Sequence, residues 1–280
     1  MSDARDPGLK RTPPDQGHHA PGTMPHSEAT AFPDNWYDIT TEDHFWTRWR
    51  FRVFLKQLQA FDIPTDQPLH GLDIGCGHGV VQRQIEAATT WQVDGCEQNP
   101  AALERHAATR GDSRLYDIQE RREDMRDAFD FLVLFDVIEH IEKPQPFLDA
   151  ALFHLKTEGL IFVNVPALGW LHSRYDRVAG HFRRYSTVSL RTELEEGGAE
   201  IMSIGYWGLT MVPLLFLRKA LFTYSKKSDA DVIRTGFHPP APVVGKILTG
   251  LSLLETELFR FTPLGSSVFA MARKPAASRR

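Results

Sequence analysis

The sequence of 280 residues has only two cysteines, Cys76 and Cys96. Two thiols cannot build a disulfide framework, and no charged-then-apolar export segment opens the chain. Both features point to a reducing, cytoplasmic setting. No apolar run is long enough to cross a bilayer. The most apolar window, Trp207 to Phe222, is sixteen residues long, is interrupted by Pro213 and carries Arg218 and Lys219, whereas a span needs roughly 20 apolar residues. This segment can lie on a membrane, on its cytoplasmic face, but not traverse it. A formal net charge of −4 gives no general attraction to nucleic acid, so no nucleic-acid partner is expected. Internal repeats are absent. Hydrophobic residues at 42% and charged residues at 24% exclude wholesale disorder and a coiled coil.

What is there divides into a tail and one large domain. Residues 1–34 contain six prolines and few large aliphatics; so little apolar surface cannot offset ordering entropy, and a disordered tail is expected. Residues 35–274 read as one α/β domain, with a short basic tail over 275–280. Thr40 and Asp43 resemble a helix-start box, and Phe45, Trp49, Val53, Phe54 and Leu58 recur at helical spacing. Strands are then expected at Leu69 to Ile74, Trp91 to Cys96, Arg114 to Ile118, Phe131 to Phe135 and Leu160 to Val165. Between them fall helices from Val80 to Ala88, from Pro100 with Asn99 as its cap, and from Pro144 to Lys156. Buried strands without polar alternation, separated by helices, predict a parallel sheet covered on both faces. The second half breaks this rhythm. A helix from Ser189 to Gly197 and a strand from Ala199 to Gly205 precede an apolar helix, a polar loop from Ser225 to Pro242 and an amphipathic helix from Val243 to Arg260. The last strand, Ser267 to Ala272, follows.

The run Asp73-Ile74-Gly75-Cys76-Gly77-His78-Gly79 sits where the first strand should turn into a helix. Glycines let a backbone turn tightly there and approach a ligand, with helix amides pointing into the site. A dinucleotide fingerprint would place its third glycine at position 80, which is Val80. Glu97 closes the second strand 24 residues after Asp73, where a carboxylate can accept both hydroxyls of a ribose.

These residues, together with Phe129-Asp130 and the run from Phe135 to His140, resemble class I S-adenosylmethionine-dependent methyltransferases. The resemblance implies a Rossmann-like seven-stranded, mostly parallel sheet with the last strand antiparallel, and S-adenosyl-L-methionine as cofactor. It places Asp73, Gly75, Cys76, Gly77 and Gly79 against the methionine and ribose of the cofactor. Glu97, with Gln98 beside it, falls on the ribose hydroxyls, Asp117 and Ile118 on the adenine, and Asp136 at the closing end of strand four. The segment from His44 to Arg50 is similar to an N-terminal stretch that folds over the cofactor in a subgroup tied to glycan and lipid-linked chemistry, bringing in Trp46 and Arg50. Gly180-His181-Phe182-Arg183-Arg184-Tyr185 is similar to a second segment of that subgroup. Thr47 stands where an aromatic is expected, and Trp49 is bulkier than usual.

His140 and His181 are the candidate general bases, since methyl transfer to a hydroxyl requires removal of its proton; the alternative for each is a hydrogen-bonded structural role. Arg183, Arg184 and Tyr185 could grip an anionic part of the acceptor, or cap the turn before the next helix. Asp136, Glu139 and His140 would share a face if a helix began near Asp136, and similar ubiquinone-pathway O-methyltransferases hold magnesium on such a set. The reading taken is that no metal binds and that Glu139 and His140 belong to a helix-entry turn and are satisfied by backbone bonds. From Trp207 to Lys246 six basic residues face two acidic ones. Residues 207–262 are therefore read as a helical insert that either contacts an anionic membrane or acts as an ordinary lid. The expected activity is methylation of an oxygen on a small-molecule, glycan or lipid-linked acceptor. A non-catalytic cofactor-binding module and an NAD-dependent oxidoreductase are the rivals.

Overall fold

A computed structural model describes residues 41–223, 228–229, 231–232 and 242–276. The tail expected over 1–34, most of the polar loop from Ser225 to Pro242 and residues 277–280 lie outside the described residues.

Seven strands form one sheet: β1 (His70–Ile74), β2 (Gln92–Glu97), β3 (Ser113–Leu115), β4 (Phe129–Phe135), β5 (Leu155–Pro166), β6 (Glu200–Trp207) and β7 (Ser267–Arg273). Their spatial order is β3-β2-β1-β4-β5-β7-β6. The first five run parallel, and β7 lies antiparallel between β5 and β6. The Rossmann-like sheet with a reversed last strand is therefore present, as is the helical insert between strands six and seven. After β3 the chain returns to place β4 on the other side of β1. That reversal opens a crevice at the carboxyl ends of β1 and β4, the usual ligand position in such sheets.

The alternation of side chains along the strands divides the core in two. Phe131, Val133 and Phe135 face Trp49, Val53, Phe54 and Leu58 of helix α1 (Phe45–Ala60). Leu132 and Leu134 face the opposite cluster with Phe147 and Leu148 of the helix over Pro144–His154. Phe54 is fully buried, and truncation to alanine would cost about 3–5 kcal/mol.

Several boundaries differ from the sequence reading, each for a local reason. Helix α1 is capped by His44, whose Nδ1 accepts from the Trp46 amide at 3.3 Å; Thr40, half of the expected helix-start box, lies outside the described residues. Helix α2 (Val80–Ala88) and the start of α3 (Pro100–Glu104), capped by Asn99, fall where expected. The third strand stops at Leu115, because Asp117 caps a 3-10 turn over Ile118–Glu120. Helix α4 (Pro144–His154) ends before Lys156, which already belongs to β5. The chain continues through α5 (Arg174–Val178) and α6 (Thr187–Glu196), the latter capped by Ser186. Trp207 belongs to β6, so the insert helices are α7 (Val212–Thr223) and α8 (Pro242–Leu258). Among the described residues no helix is long and apolar enough to cross a membrane.

Candidate active site

The turn after β1 is built by glycine. Gly75, Gly77 and Gly79 have φ of 73°, 55° and 85°, a region that side chains disfavour. Space matters as well: a Cβ at Gly79 would lie 2.3 Å from His106 Nε2. The amides of Gly75 and Cys76 donate to the Cys96 carbonyl at 2.8 and 3.1 Å. The Gly77 amide donates to Glu97 Oε2 at 2.9 Å, while Glu97 Oε1 accepts from Gln98 and Asn99 at 2.8 and 2.9 Å. One carboxylate thus locks the loop to the end of β2. Gln98 itself is exposed.

A cavity of about 470 Å³ opens at this edge of the sheet, within the range of small-molecule sites. At one end it is lined by Asp73, Gly75, Cys76, Gly77 and Glu97, and by Trp46 and Arg50 from α1. Trp46 stacks on Trp207 at 4.7 Å. Asp136 completes this end, in a left-handed turn with φ 58°. Arg50 Nη1 donates to Asp136 Oδ2 at 2.6 Å and Asn164 Nδ2 donates to Oδ1 at 2.8 Å. Asn164 is in turn fixed by the Trp207 indole at 2.9 Å. Asp73 is buried, and its Oδ2 has no hydrogen-bond partner. Burial, opposed by Arg50 and reinforced by Glu97, pushes its carboxyl up to about 8. Burial, with the Asp73 and Glu97 charges, also pushes the Cys76 thiol up, so it stays protonated. Gly79, Asp117 and Ile118 do not line the cavity. Gly79 shapes the turn, and Asp117 accepts from the Gln119 amide at 2.9 Å.

The other end gathers Glu139, Tyr175, His181, Arg184 and Arg218, with Met211, Leu214, Leu215, Val244 and Leu248 from the insert. Its organiser is Asp176, a buried residue in α5. Asp176 Oδ1 lies 3.2 Å from His181 Nδ1 and accepts from Arg184 Nε at 2.7 Å, while Oδ2 accepts from the Ser173 amide and hydroxyl at 2.8 Å. Burial disfavours the charge, but the bonds from His181, Arg184 and Ser173 outweigh it and hold the carboxyl well below the usual range. The Ser173-x-x-Asp176 box was a readable helix-start signal that the sequence reading passed over.

Several expected residues stand elsewhere. Arg183 bonds the Glu142 carbonyl and Glu193 and does not line the cavity. Tyr185 is buried with its hydroxyl on the Ile138 carbonyl at 3.4 Å. Glu139 and His140 sit in a 3-10 turn over Ile138–His140, not in a helix starting at Asp136. His140 packs edge-on to His181 at 4.7 Å. Burial, then the neighbouring His181, lowers its pKa to about 3. Glu139 is fully buried with neither oxygen bonded, and burial followed by the Asp136 charge raises its carboxyl well above the usual range. Backbone bonds do not satisfy it. The potential ligand set is also regrouped: Glu139, His140 and His181 each offer one atom within 4.8 Å, a set that could hold a divalent cation, whereas Asp136 is held by Arg50 and Asn164.

Comparison with known proteins matches a methyltransferase domain to residues 46–204, more than half of the chain. The chain belongs to the methyltransferase-domain family. This methyltransferase domain is of the class I, S-adenosylmethionine-dependent type. A curated relative, the ubiquinone biosynthesis O-methyltransferase of Rhizobium leguminosarum, is 31% identical over 109 residues, which cover 36% of this chain and 43% of that one. The chain spans less than half the length of the curated relatives it matches. Among solved structures, the phosphoethanolamine N-methyltransferase 2 of Haemonchus contortus in complex with S-adenosyl-L-methionine has a TM-score of 0.54 at 16% identity, covering 79% of this chain and 52% of that one. The [4+2]-cyclase SpnF has a TM-score of 0.51 at 19% identity, covering 80% and 81%. These likenesses establish the fold; chemistry has to be argued from the site. The cofactor of the class, S-adenosylmethionine, is cationic, and the loop end of the cavity fits it. Three carboxyl groups, Asp73, Glu97 and Asp136, line that end, and the one on Asp73 carries a buried, unpartnered oxygen.

Proposed function

We propose that the protein transfers a methyl group from S-adenosylmethionine to an oxygen of a small-molecule, glycan or lipid-linked acceptor. The observation that carries this reading is a single cavity with the glycine loop and Glu97 at one end and an Asp176–His181 pair at the other. Bound at the loop end, S-adenosylmethionine supplies an electrophilic methyl group on a positively charged sulfur.

The chain's own residues do the rest. Asp73, the glycine loop and Glu97 bind and orient the cofactor. Trp46 and Arg50 close over it from α1, and Arg50 also steadies Asp136 at the boundary between the two ends. Asp176, kept ionised by its donors, favours the His181 tautomer with a proton on Nδ1. That leaves Nε2 to take the acceptor's hydroxyl proton as the new bond forms. His140 is too weak a base for the task at neutral pH and serves instead as the wall against which His181 packs. Arg184 presents positive charge to the cavity while bonded to Asp176, and Arg183 and Tyr185 support the turns around it. The apolar residues of α7 and α8 exclude water, which strengthens every charge interaction inside. The O-methyltransferase relatives favour oxygen over nitrogen as the acceptor atom.

The test is transfer of labelled methyl from S-adenosylmethionine to extracted lipids, glycans and small metabolites, beside thermal melts with S-adenosylhomocysteine and with NAD. Label in an oxygen-linked product and a melt raised by S-adenosylhomocysteine are expected. Protection by NAD alone would refute the reading, and tight S-adenosylhomocysteine binding without transfer to any acceptor would leave a cofactor-binding module.

A further inference from the structure

Helix α8 turns an apolar stripe outward. On α8, Val244, Ile247, Leu251, Leu254 and Leu258 recur at spacings of three and four, and all are exposed. Such a stripe normally faces the core. Here the buried positions, besides Leu248, are the polar Ser252 and Glu255. Buried Glu255 accepts the backbone amides of Gly208, Leu209 and Thr210 at 2.7, 3.2 and 3.1 Å, and Thr256 accepts the Trp49 indole at 3.1 Å. These bonds fix the rotation of α8, so its apolar stripe is held outward and is not a slipped core face. On α7, Leu214, Phe216, Leu217 and Leu221 are likewise exposed, with no charged residue among that helix's exposed positions.

This face continues into the cavity. Leu214 and Val244 are 39% and 43% exposed and also line the cavity, so they form its rim, with Leu215 and Leu248 deeper inside. Exposed Trp170 packs near Phe216 at 6.4 Å, and Lys219 bonds its carbonyl. Lys246 stands exposed beside Ile247. Aromatic rings and lysines bordering an apolar face are what an anionic lipid–water interface accommodates. The stretch from Trp207 to Lys246 adds charge of the matching sign, six basic residues against two acidic ones.

We propose that the outward faces of α7 and α8 seat the protein on an anionic bilayer, and that the acceptor is a lipid-linked molecule passing from that bilayer over the Leu214–Val244 rim into the cavity. A second copy of the chain is the weaker occupant, because seated there it would cover the rim through which the acceptor passes. The docking half stands on the insert alone; the acceptor half rests on the methyltransferase reading.

The test is flotation of the full chain with phosphatidylcholine vesicles, with and without phosphatidylglycerol, at low and high salt. It compares the wild type with a triple variant, Leu217→Gln, Leu251→Gln and Leu254→Gln, none of which lines the cavity. The wild type should float with the phosphatidylglycerol vesicles and be released by salt, and the variant should bind about a hundredfold more weakly or worse. A melt still raised by S-adenosylhomocysteine shows that the variant is folded with its cofactor end intact. Absence of wild-type flotation at low salt, or equal flotation of the variant, overturns the docking. A dimer by light scattering that the variant dissociates, without vesicle binding, assigns the face to a second copy and also overturns it. With docking intact, labelled methyl found only in water-soluble acceptors overturns the lipid-linked half; no transfer to any acceptor refutes the methyltransferase reading while the flotation result stands.

Discussion

Asp73→Asn isolates the electrostatic cost of the loop end. Burial raises the Asp73 carboxyl from 3.8 to about 8. A carboxyl whose folded value lies above its unfolded value keeps its proton longer in the folded chain. Its contribution to stability is therefore fully present below the unfolded value and is lost as pH rises through the folded one. Taking one pKa step as about 1.4 kcal/mol, the ionisation penalty grows from about 2 kcal/mol at pH 5 to about 6 kcal/mol at pH 9. Asparagine has nearly the same shape and does not titrate, and every other group cancels in the comparison. Unfolding of both proteins by heat or urea from pH 5 to pH 9 should show the wild type losing about 4 kcal/mol relative to the variant. In a domain of this size that is a change of about 8–16 °C in their Tm difference. A Tm difference that stays constant with pH would show that Asp73 does not carry a perturbed carboxyl in the free protein.

Glu97→Ala should weaken S-adenosylhomocysteine binding about tenfold to a hundredfold by calorimetric titration, and it should lower stability as well, because the Gly77 amide loses its acceptor. Unchanged affinity would remove Glu97 from the ribose. Asp176→Asn should lower kcat about tenfold or more with little change in KM, and the double variant with His181→Ala should be no slower than His181→Ala alone; additive losses would show that the two do not act as a unit. Chelation should leave the rate unchanged, since His181 Nε2 is assigned to take the acceptor's proton and not to bind a metal. A rate lost to EDTA and restored by a divalent cation would put a metal on Glu139, His140 and His181 in place of the base.

Where local chemistry decided the outcome, the sequence was readable. Val80–Ala88 begins where glycine releases the backbone, and Asn99-Pro100 caps and opens its helix as that pair should. The glycine loop and Glu97 meet because adjacent parallel strands end at the same edge. Reading failed where distant partners decide. Lys156 continues a helical pattern, but β4 claims the chain one residue earlier through Phe129 and Leu155. Arg183 and Arg184 are neighbours of one residue type, yet Asp176 holds one at the cavity while Glu142 and Glu193 hold the other away. Asp176 was legible only as the helix-start box with Ser173, because its bonds to His181 and Arg184 form in the folded turn, and Glu255 takes its partners from Gly208, Leu209 and Thr210, far off in the chain. Ser252 and Glu255 of α8 are buried while its apolar stripe is exposed, an arrangement that periodicity alone cannot reveal.

The position of β7 has a consequence for assembly during synthesis. Among the described residues β6 pairs with no strand but β7, and roughly sixty residues separate the two, so the sheet stays one-sided until its final strand emerges. Ser266 and Ser267, at the start of that strand, form part of the cavity wall, and the loop after β6 waits for Glu255 to hold its amides. A nascent chain can thus have its glycine loop in place while the pocket remains open along one flank. Ligand capture then switches on late in synthesis, and loss of a few residues from β7 would abolish it as surely as loss of the loop.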